Sequence, residues 1–334
     1  MGKGGFAHCV QVDDKIDNQK YAMKIIQKVV NGKPRAMDKI ESEIAIHADM
    51  DHPSIVKMYR YFEDDENVYM ILELWDNKSI IDLLKVRQRL TEDEVRSYIS
   101  QLVEGIKHIH SINVIHRDLK LGNLFLTAKM ELKIGDFGLS ERVLFEGDMK
   151  KSMSGTPNYI APEILLSKEG HSYEVDIWAV GVIMYTMLVG KPPFQSKNSK
   201  ATCNKIKKNQ YSFPENIYLS RESKNLISSL LRTNPKERLS LDEILKHEYF
   251  AYPYPKFWAV STLYHAPQEV AHTVNLYITY FSDNQERHLL PHHTKSGSWR
   301  DQEVILKITW CPARSLKKIL IQCKTMDKTQ IELT

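Results

Sequence analysis

The sequence has 334 residues, 42% of them hydrophobic and 26% charged. That is a globular composition, long enough for two lobes or domains with sizeable cores. The net charge of +4 and isoelectric point near 8.6 are too mild to argue for nucleic acid, though a patch facing acidic substrates fits them. Cys9, Cys203, Cys311 and Cys323 are scattered with no C-x-x-C pair, which disfavours zinc and redox motifs and fits a reduced, intracellular chain.

The first nine residues hold no apolar signal core. Gly2-Lys3-Gly4-Gly5-Phe6-Ala7 reads as a glycine-rich loop in which Ala7 stands where a last glycine would. Small residues let backbone approach phosphate oxygens. The loop begins at residue 2, so the strand expected ahead of it is missing, and the natural protein is expected to begin earlier. Tyr21-Ala22-Met23-Lys24-Ile25-Ile26 is a β-like run carrying a lysine. Pro34 to Ala48 reads as a helix with Ile40, Ile44 and His47 on one face and Glu43 beside it. Val68 to Leu74 is a dense apolar β run.

Thr91 and Glu94 form a capping box. Val95, Ile99, Leu102, Val103, Ile106 and Ile109 follow at helical spacing, with His108 and His110 as packing or surface residues. Next come His116-Arg117-Asp118, with Lys120 and Asn123, and then Asp136-Phe137-Gly138. Asp118 reads as the acceptor of a hydroxyl proton. Asn123 and Asp136 supply the hard oxygens that suit Mg²⁺. Leu124 to Leu126 and Leu132 to Ile134 read as a hairpin holding those two residues close together.

Ser152, Ser154 and Thr156 lie in the segment between Gly138 and Ala161. Glu163 in Ala161-Pro162-Glu163 needs a buried cation, for which Arg238 is the candidate. Asp176 is placed to cap the apolar run of Ile177 to Gly190 and to hold backbone near Asp118. That run has the length of a buried core helix rather than a membrane span. Helices are expected from Ser220 to Leu231 and from Ser240 to His247, the latter with a Ser240/Glu243 capping box. The catalytic fold is expected to end near Phe250.

These motifs, in this order, resemble the signature set of eukaryotic protein kinases. More narrowly, the chain resembles a Polo-like kinase. It has Ala7 and Cys9 where most kinases have glycine and valine, Gly135 before Asp136, GTPNYIAPE from Gly155 to Glu163, and PKFWAVSTLYHAP from Pro255 to Pro267. The resemblance implies an α+β, two-lobed fold. A small β-rich lobe with one helix spans 1–72, a hinge 73–76, and a larger, mainly helical lobe 77–250. A segment of the kind that follows Polo-type catalytic domains spans 251–267. The tail, 268–334, has no recognisable Polo box. Its β-like runs (Val274 to Phe281, Glu303 to Trp310, Lys318 to Cys323) fit an atypical module, a truncated Polo box or translated non-coding sequence.

The resemblance also implies residue roles, with ATP and Mg²⁺ as cofactors. Gly2, Lys3, Gly4, Gly5, Phe6, Ala7, Cys9, Ala22 and Lys24 would surround ATP. Glu43 would orient Lys24, the alternatives being Glu41 or a solvated acidic face. Backbone groups of Glu73 and Trp75 would pair with adenine, and Leu72 would control access behind it. Phe125 is either the floor of that site or plain core. Lys120 would contact the transferring phosphate and suits serine/threonine chemistry. Ser152, with Ser154 as rival, would be phosphorylated and pair with Arg117, while Thr156 would pack beside the catalytic loop and shape the substrate groove.

The implied activity is transfer of the ATP γ-phosphate to serine or threonine, often near acidic residues, under an upstream activating kinase. The implied partners are protein substrates, with no nucleic acid and no membrane span, and the catalytic domain is expected to be monomeric. Mitotic work in the cytoplasm or nucleus, at centrosome, spindle or basal body, is the inherited setting. The alternatives are a kinase-shaped scaffold or pseudokinase inactive for want of its first strand, and an active kinase of another branch, such as Aurora-like.

Overall fold

The computed structural model describes residues 2–3, 7–16, 18–30, 33–34, 36–75, 77–252, 306–308 and 321–323. The chain opens with strands β1 (Gly2–Lys3), β2 (Ala7–Asp13) and β3 (Lys20–Gln27). A two-residue-per-strand hairpin of β4 (Val29–Val30) and β5 (Lys33–Pro34) leads to helix α1 (Met37–Ala48). Strands β6 (Met58–Glu63) and β7 (Asn67–Leu72) complete an antiparallel sheet of order β1-β2-β3-β7-β6.

Gly2 and Lys3, the first residues of the glycine-rich stretch, pair with Cys9 and His8. One expectation is corrected here. Helix α1 starts at Met37, not Pro34, because Val29 and Val30 pair with Pro34 and Lys33. A proline disfavours helical geometry in the residue before it, and here the hairpin takes up that backbone instead.

Alternation along β3 puts Ala22, Lys24 and Ile26 on one face. Ala22 and Ile26 are buried there with Ile40 and Ile44 of α1 and with Val56, Val68, Met70 and Leu72. The lysine therefore starts from an apolar face and reaches toward α1.

The second lobe is mainly helical. Its elements are α2 (Ile80–Arg87), α3 (Glu92–Ser111), β8 (Val114–Ile115), β9 (Leu124–Leu126), β10 (Leu132–Ile134) and β11 (Glu141–Arg142). Then follow α4 (Pro162–Leu166), α5 (Glu174–Val189), α6 (Ser199–Lys207), α7 (Arg221–Leu230) and α8 (Leu241–Lys246). The Thr91/Glu94 and Ser240/Glu243 capping boxes both form. A further box, Ser79 with Asp82, starts α2.

Helix α5 is buried on all sides from Val175 to Val189, as expected of a helix with no polar face. It ends at Gly190, whose φ of +87° is left-handed and where a Cβ would meet the Gln88 carbonyl at 2.5 Å. One continuous core joins α3, α5, α7 and the β9–β10 hairpin, each fully buried Leu or Ile contributing about 1.5–3 kcal/mol.

In the tail, β12 (Leu306–Ile308) pairs antiparallel with β13 (Ile321–Cys323), within two of the expected β-like runs. The run of Val274 to Phe281 and the segment 253–267 lie outside the described residues, as do Gly4, Gly5, Phe6 and Asp76. Among the described residues no helix is long and apolar enough to cross a membrane.

Candidate active site

The loop after β8 is held from behind. Asp176, in the first turn of α5, accepts from the His116 and Arg117 amides at 2.9 Å each. It also meets His110 Nε2 at 2.9 Å. Asp176 does not cap α5, whose N-cap is Tyr173. Its carboxylate turns inward because three donors converge on it there. Burial opposes its ionisation, but the hydrogen bond from His110 and the nearby His116 hold it below the usual carboxylate range. This clamp supports a left-handed φ of 64° at Arg117, a strained conformation for a residue with a side chain.

Asp118 is thereby presented at the cleft with both oxygens engaged. Lys120 Nζ lies 2.5 Å from Oδ2, and Thr156 Oγ1 donates to Oδ1 at 2.8 Å. Asn123 Nδ2 donates to the Asp118 carbonyl at 2.9 Å. With its nitrogen so used, Asn123 has its amide oxygen left for a cation. The β9–β10 hairpin brings Gly135 to Asn123, the Gly135 amide donating to the Asn123 carbonyl at 3.0 Å. Asp136 follows at once, with φ 65°. Gly135 has a packing reason, for a Cβ there would meet the Phe125 ring at 2.9 Å.

Lys24 Nζ bridges Glu43 at 2.6 Å and Asp136 at 2.8 Å, so Glu43, not Glu41, is its partner. Burial works against the Lys24 ammonium, but the two carboxylates outweigh it and hold its pKa well above the usual lysine range. Burial likewise opposes charge on Asp136, yet Lys24 brings it down to about 2. Gly138 leaves room for this arrangement, since a Cβ there would lie 3.1 Å from Glu43 Oε2.

Phe137 is buried between His47 and His116, with ring centroids 4.7 and 5.1 Å away. His47 Nε2 lies 2.7 Å from the Val56 carbonyl, which makes that nitrogen the donor.

Beside this cluster, Cys9 pairs with Lys24 across β2 and β3, and Ala22 faces Leu72 across β3 and β7. Burial raises the Cys9 thiol pKa. Ala7 begins β2. The Glu73 amide donates to the Lys57 carbonyl at 2.8 Å, and the Glu73 side chain pairs with Lys133 at 2.8 Å. Half-buried Phe125 stacks on Trp75 at 4.2 Å and packs against the small-lobe core.

Arg117 runs the other way. Its Nε donates to the Leu139 carbonyl at 2.7 Å and its Nη2 pairs with Glu141 at 2.9 Å. Its Nη1 donates to the hydroxyl of exposed Ser152. Arg238 holds Glu163 through two bonds of 2.7 Å, lies over the Trp178 ring and donates to the Glu174 carbonyl at 2.7 Å.

Sequence reasoning missed one residue. His110, taken for a packing or surface residue, is a partner of Asp176 across 66 positions, a pairing with no local signal. Thr156, expected to pack beside the catalytic loop, touches Asp118 directly across 38 positions.

The protein kinase domain family matches residues 1–250. The chain belongs to the protein kinase family. It is 52% identical over 265 residues to a probable serine/threonine-protein kinase CCRP1 of Zea mays, covering 79% of this chain and 42% of that one. It is 48% identical over 270 residues to a probable serine/threonine-protein kinase PLK of Dictyostelium discoideum, 80% of this chain and 27% of the relative. With the serine/threonine-protein kinase polo of Drosophila melanogaster the identity is 46% over 269 residues, 80% and 46% of the two chains. The kinase thus spans under half the length of these curated relatives, and the match places it with Polo-like members of the family.

Proposed function

We propose that this kinase transfers the γ-phosphoryl group of ATP to serine or threonine hydroxyls of protein substrates. The observation that carries the reading is Asp118, fixed by Lys120, Thr156 and Asn123 at the cleft, with the Lys24–Glu43–Asp136 set beside it. In the transfer, the substrate oxygen bonds to the γ-phosphorus as the bridging bond to ADP breaks. Asp118 takes the hydroxyl proton. Lys120, on the same carboxylate, offers its ammonium to the moving phosphoryl group. Lys24, kept charged by its carboxylates and oriented by Glu43, meets the phosphates.

The donor set suits Mg²⁺. Asp136 and the Asn123 amide oxygen are hard ligands, and the ion would neutralise phosphate charge. The Glu73 amide is already used, so its carbonyl, with Trp75 backbone, is the group left for adenine. Phe125 and Leu72 bound that pocket.

Further assignments belong to the same proposal: Ser152 as the activating phosphosite, acidic flanks in substrates, and a catalytic domain of 1–250 followed by a post-kinase segment and a tail. A mitotic role at centrosome or spindle is supported by the likeness to Polo-like relatives alone.

The test is transfer from labelled ATP·Mg²⁺ to serine peptides with and without acidic flanks, run beside Asp118→Asn. Turnover lost in the variant supports the reading. Equal turnover in both proteins sinks it.

A further inference from the structure

A stretch of one-signed charge lies outside the catalytic cluster. From Ile177 to Pro214 there is no aspartate, glutamate or arginine, while six lysines occur: Lys191, Lys197, Lys200, Lys205, Lys207 and Lys208. All are exposed except Lys205, which is half-buried. Among the described residues none of the six forms an ion pair. The last turn of α6 accounts for some of this, because lysines there complement the helix dipole. Lys191 is not on α6, and it lines the same cavity as Lys205.

That cavity measures about 690 Å³, within the range of ligand-binding clefts. It lies between the end of α5, the 190–196 loop, α6 and residues 210–214. Pro192, Pro193, Pro214, Tyr185 and Tyr211 supply apolar surface, and Gln195 and Gln210 supply amides. The Tyr185 hydroxyl donates to the Ser212 carbonyl at 2.8 Å, and Lys205 Nζ donates to the Gln195 carbonyl at 3.2 Å. These contacts join its four walls in two pairs.

We propose that this cavity docks an acidic segment of a protein substrate, one in which glutamates or aspartates alternate with apolar residues. Carboxylates would meet Lys191 and Lys205, apolar side chains the proline and tyrosine surface, and backbone the two glutamines. The outer lysines would speed encounter and weaken with salt. A peptide fits better than its rivals. A concave, proline-lined wall opposes a flat membrane, and the cavity lining holds lysines but none of the arginine that reads nucleic acid by bidentate contacts. The docking role rests on the kinase reading only in naming the partner a substrate. None of the cavity residues belongs to the catalytic cluster.

Two measurements on the full chain separate the ideas. The first is fluorescence anisotropy with a labelled glutamate-rich peptide interspersed with tyrosine and proline. The second is turnover of a serine peptide alone and of the same peptide joined to that acidic segment by a Gly/Ser linker.

The expected result is saturable, salt-sensitive binding and a KM about tenfold lower for the tethered substrate at unchanged kcat. Lys191→Glu with Lys205→Glu abolishes both gains and leaves turnover of the short peptide as in the parent. Lys191→Arg with Lys205→Arg retains them. The proposal is overturned if the segment gives no KM advantage, if the advantage survives charge reversal, or if polyuridylate or anionic vesicles displace the peptide at lower concentration than unlabelled peptide does. Peptide binding without any turnover would defeat the kinase reading and leave the site standing. Turnover of the short peptide without peptide binding would do the reverse.

Discussion

Thr156 Oγ1 donates a hydrogen bond to Asp118 Oδ1 at 2.8 Å, across 38 positions of sequence. The hydroxyl also accepts from Lys120 Nζ at 3.2 Å, so the segment that carries Ser152 is tied to the carboxylate proposed to take the proton. Removing the proposed base is expected to cost about 10²–10⁴ in turnover, read as kcat of Asp118→Asn. Thr156→Ser keeps the bond and is expected to stay near the parent. Thr156→Val loses it, and kcat is expected to fall about tenfold, the worth of one hydrogen bond to a charged group. A Thr156→Val enzyme with parental kcat would show the bond to be incidental.

Ser152 is exposed and already in contact with Arg117. A phosphate there meets a guanidinium that is in place, and Glu141 on the same group is the competitor to be displaced. Ser152→Asp is therefore expected to raise kcat about tenfold, and Ser152→Ala to block activation by an upstream kinase. Ser154→Ala is expected to change neither. Phosphopeptide mapping with kinetics on the three variants decides between the two serines.

The Glu163–Arg238 pair is buried, with side-chain exposures of 7% and 0%. Breaking it leaves an uncompensated charge, so Glu163→Ala is expected to cost about 3–5 kcal/mol of folding stability. Adding Arg238→Met is expected to cost less than the two single changes summed, because the orphaned charge goes too. Urea unfolding of the singles and the double provides the cycle. Strict additivity would mean that the ion pair contributes nothing beyond packing.

Burial drives the His47 imidazole from its ordinary 6.5 to about 4, a fall that its bond to the Val56 carbonyl only partly opposes. As pH drops below about 6.5 the unfolded chain takes up this proton and the folded chain does not. The unfolded state then holds more protons, and stability falls with pH until about 4, where the folded imidazole titrates as well. The whole window is worth about 3 kcal/mol. His47→Gln, which can keep a donor to Val56, is expected to flatten that part of the slope. Urea midpoints between pH 4 and pH 7 test it, and parallel slopes for the two proteins would refute it.

Much of the helical lobe was legible because its signals are local. Thr91 and Glu94 lie within one turn, and the apolar run through α5 needs no partner to announce burial. The start of α1 was not legible. The choice between helix and hairpin around Pro34 turned on whether Val29 and Val30 found strand partners. Asp176 was expected to hold backbone near Asp118, and it does. That it does so without capping α5 was not legible, because an acid at a helix start fits a cap equally well until its donors are known.

By itself the sequence determined which chemical groups exist and in what order: a carboxylate at Asp118, an amide and a carboxylate at Asn123 and Asp136, an amine at Lys24, and a lysine-rich stretch without acids from Ile177 to Pro214. Only the tertiary structure decided their partners. It brought Lys24 to Asp136 across 112 positions, His110 to Asp176, and Lys191 and Lys205 to one cavity. A buried charge must be compensated by whatever donors fold around it, and strand pairing and helix packing, not spacing along the chain, set which donors those are.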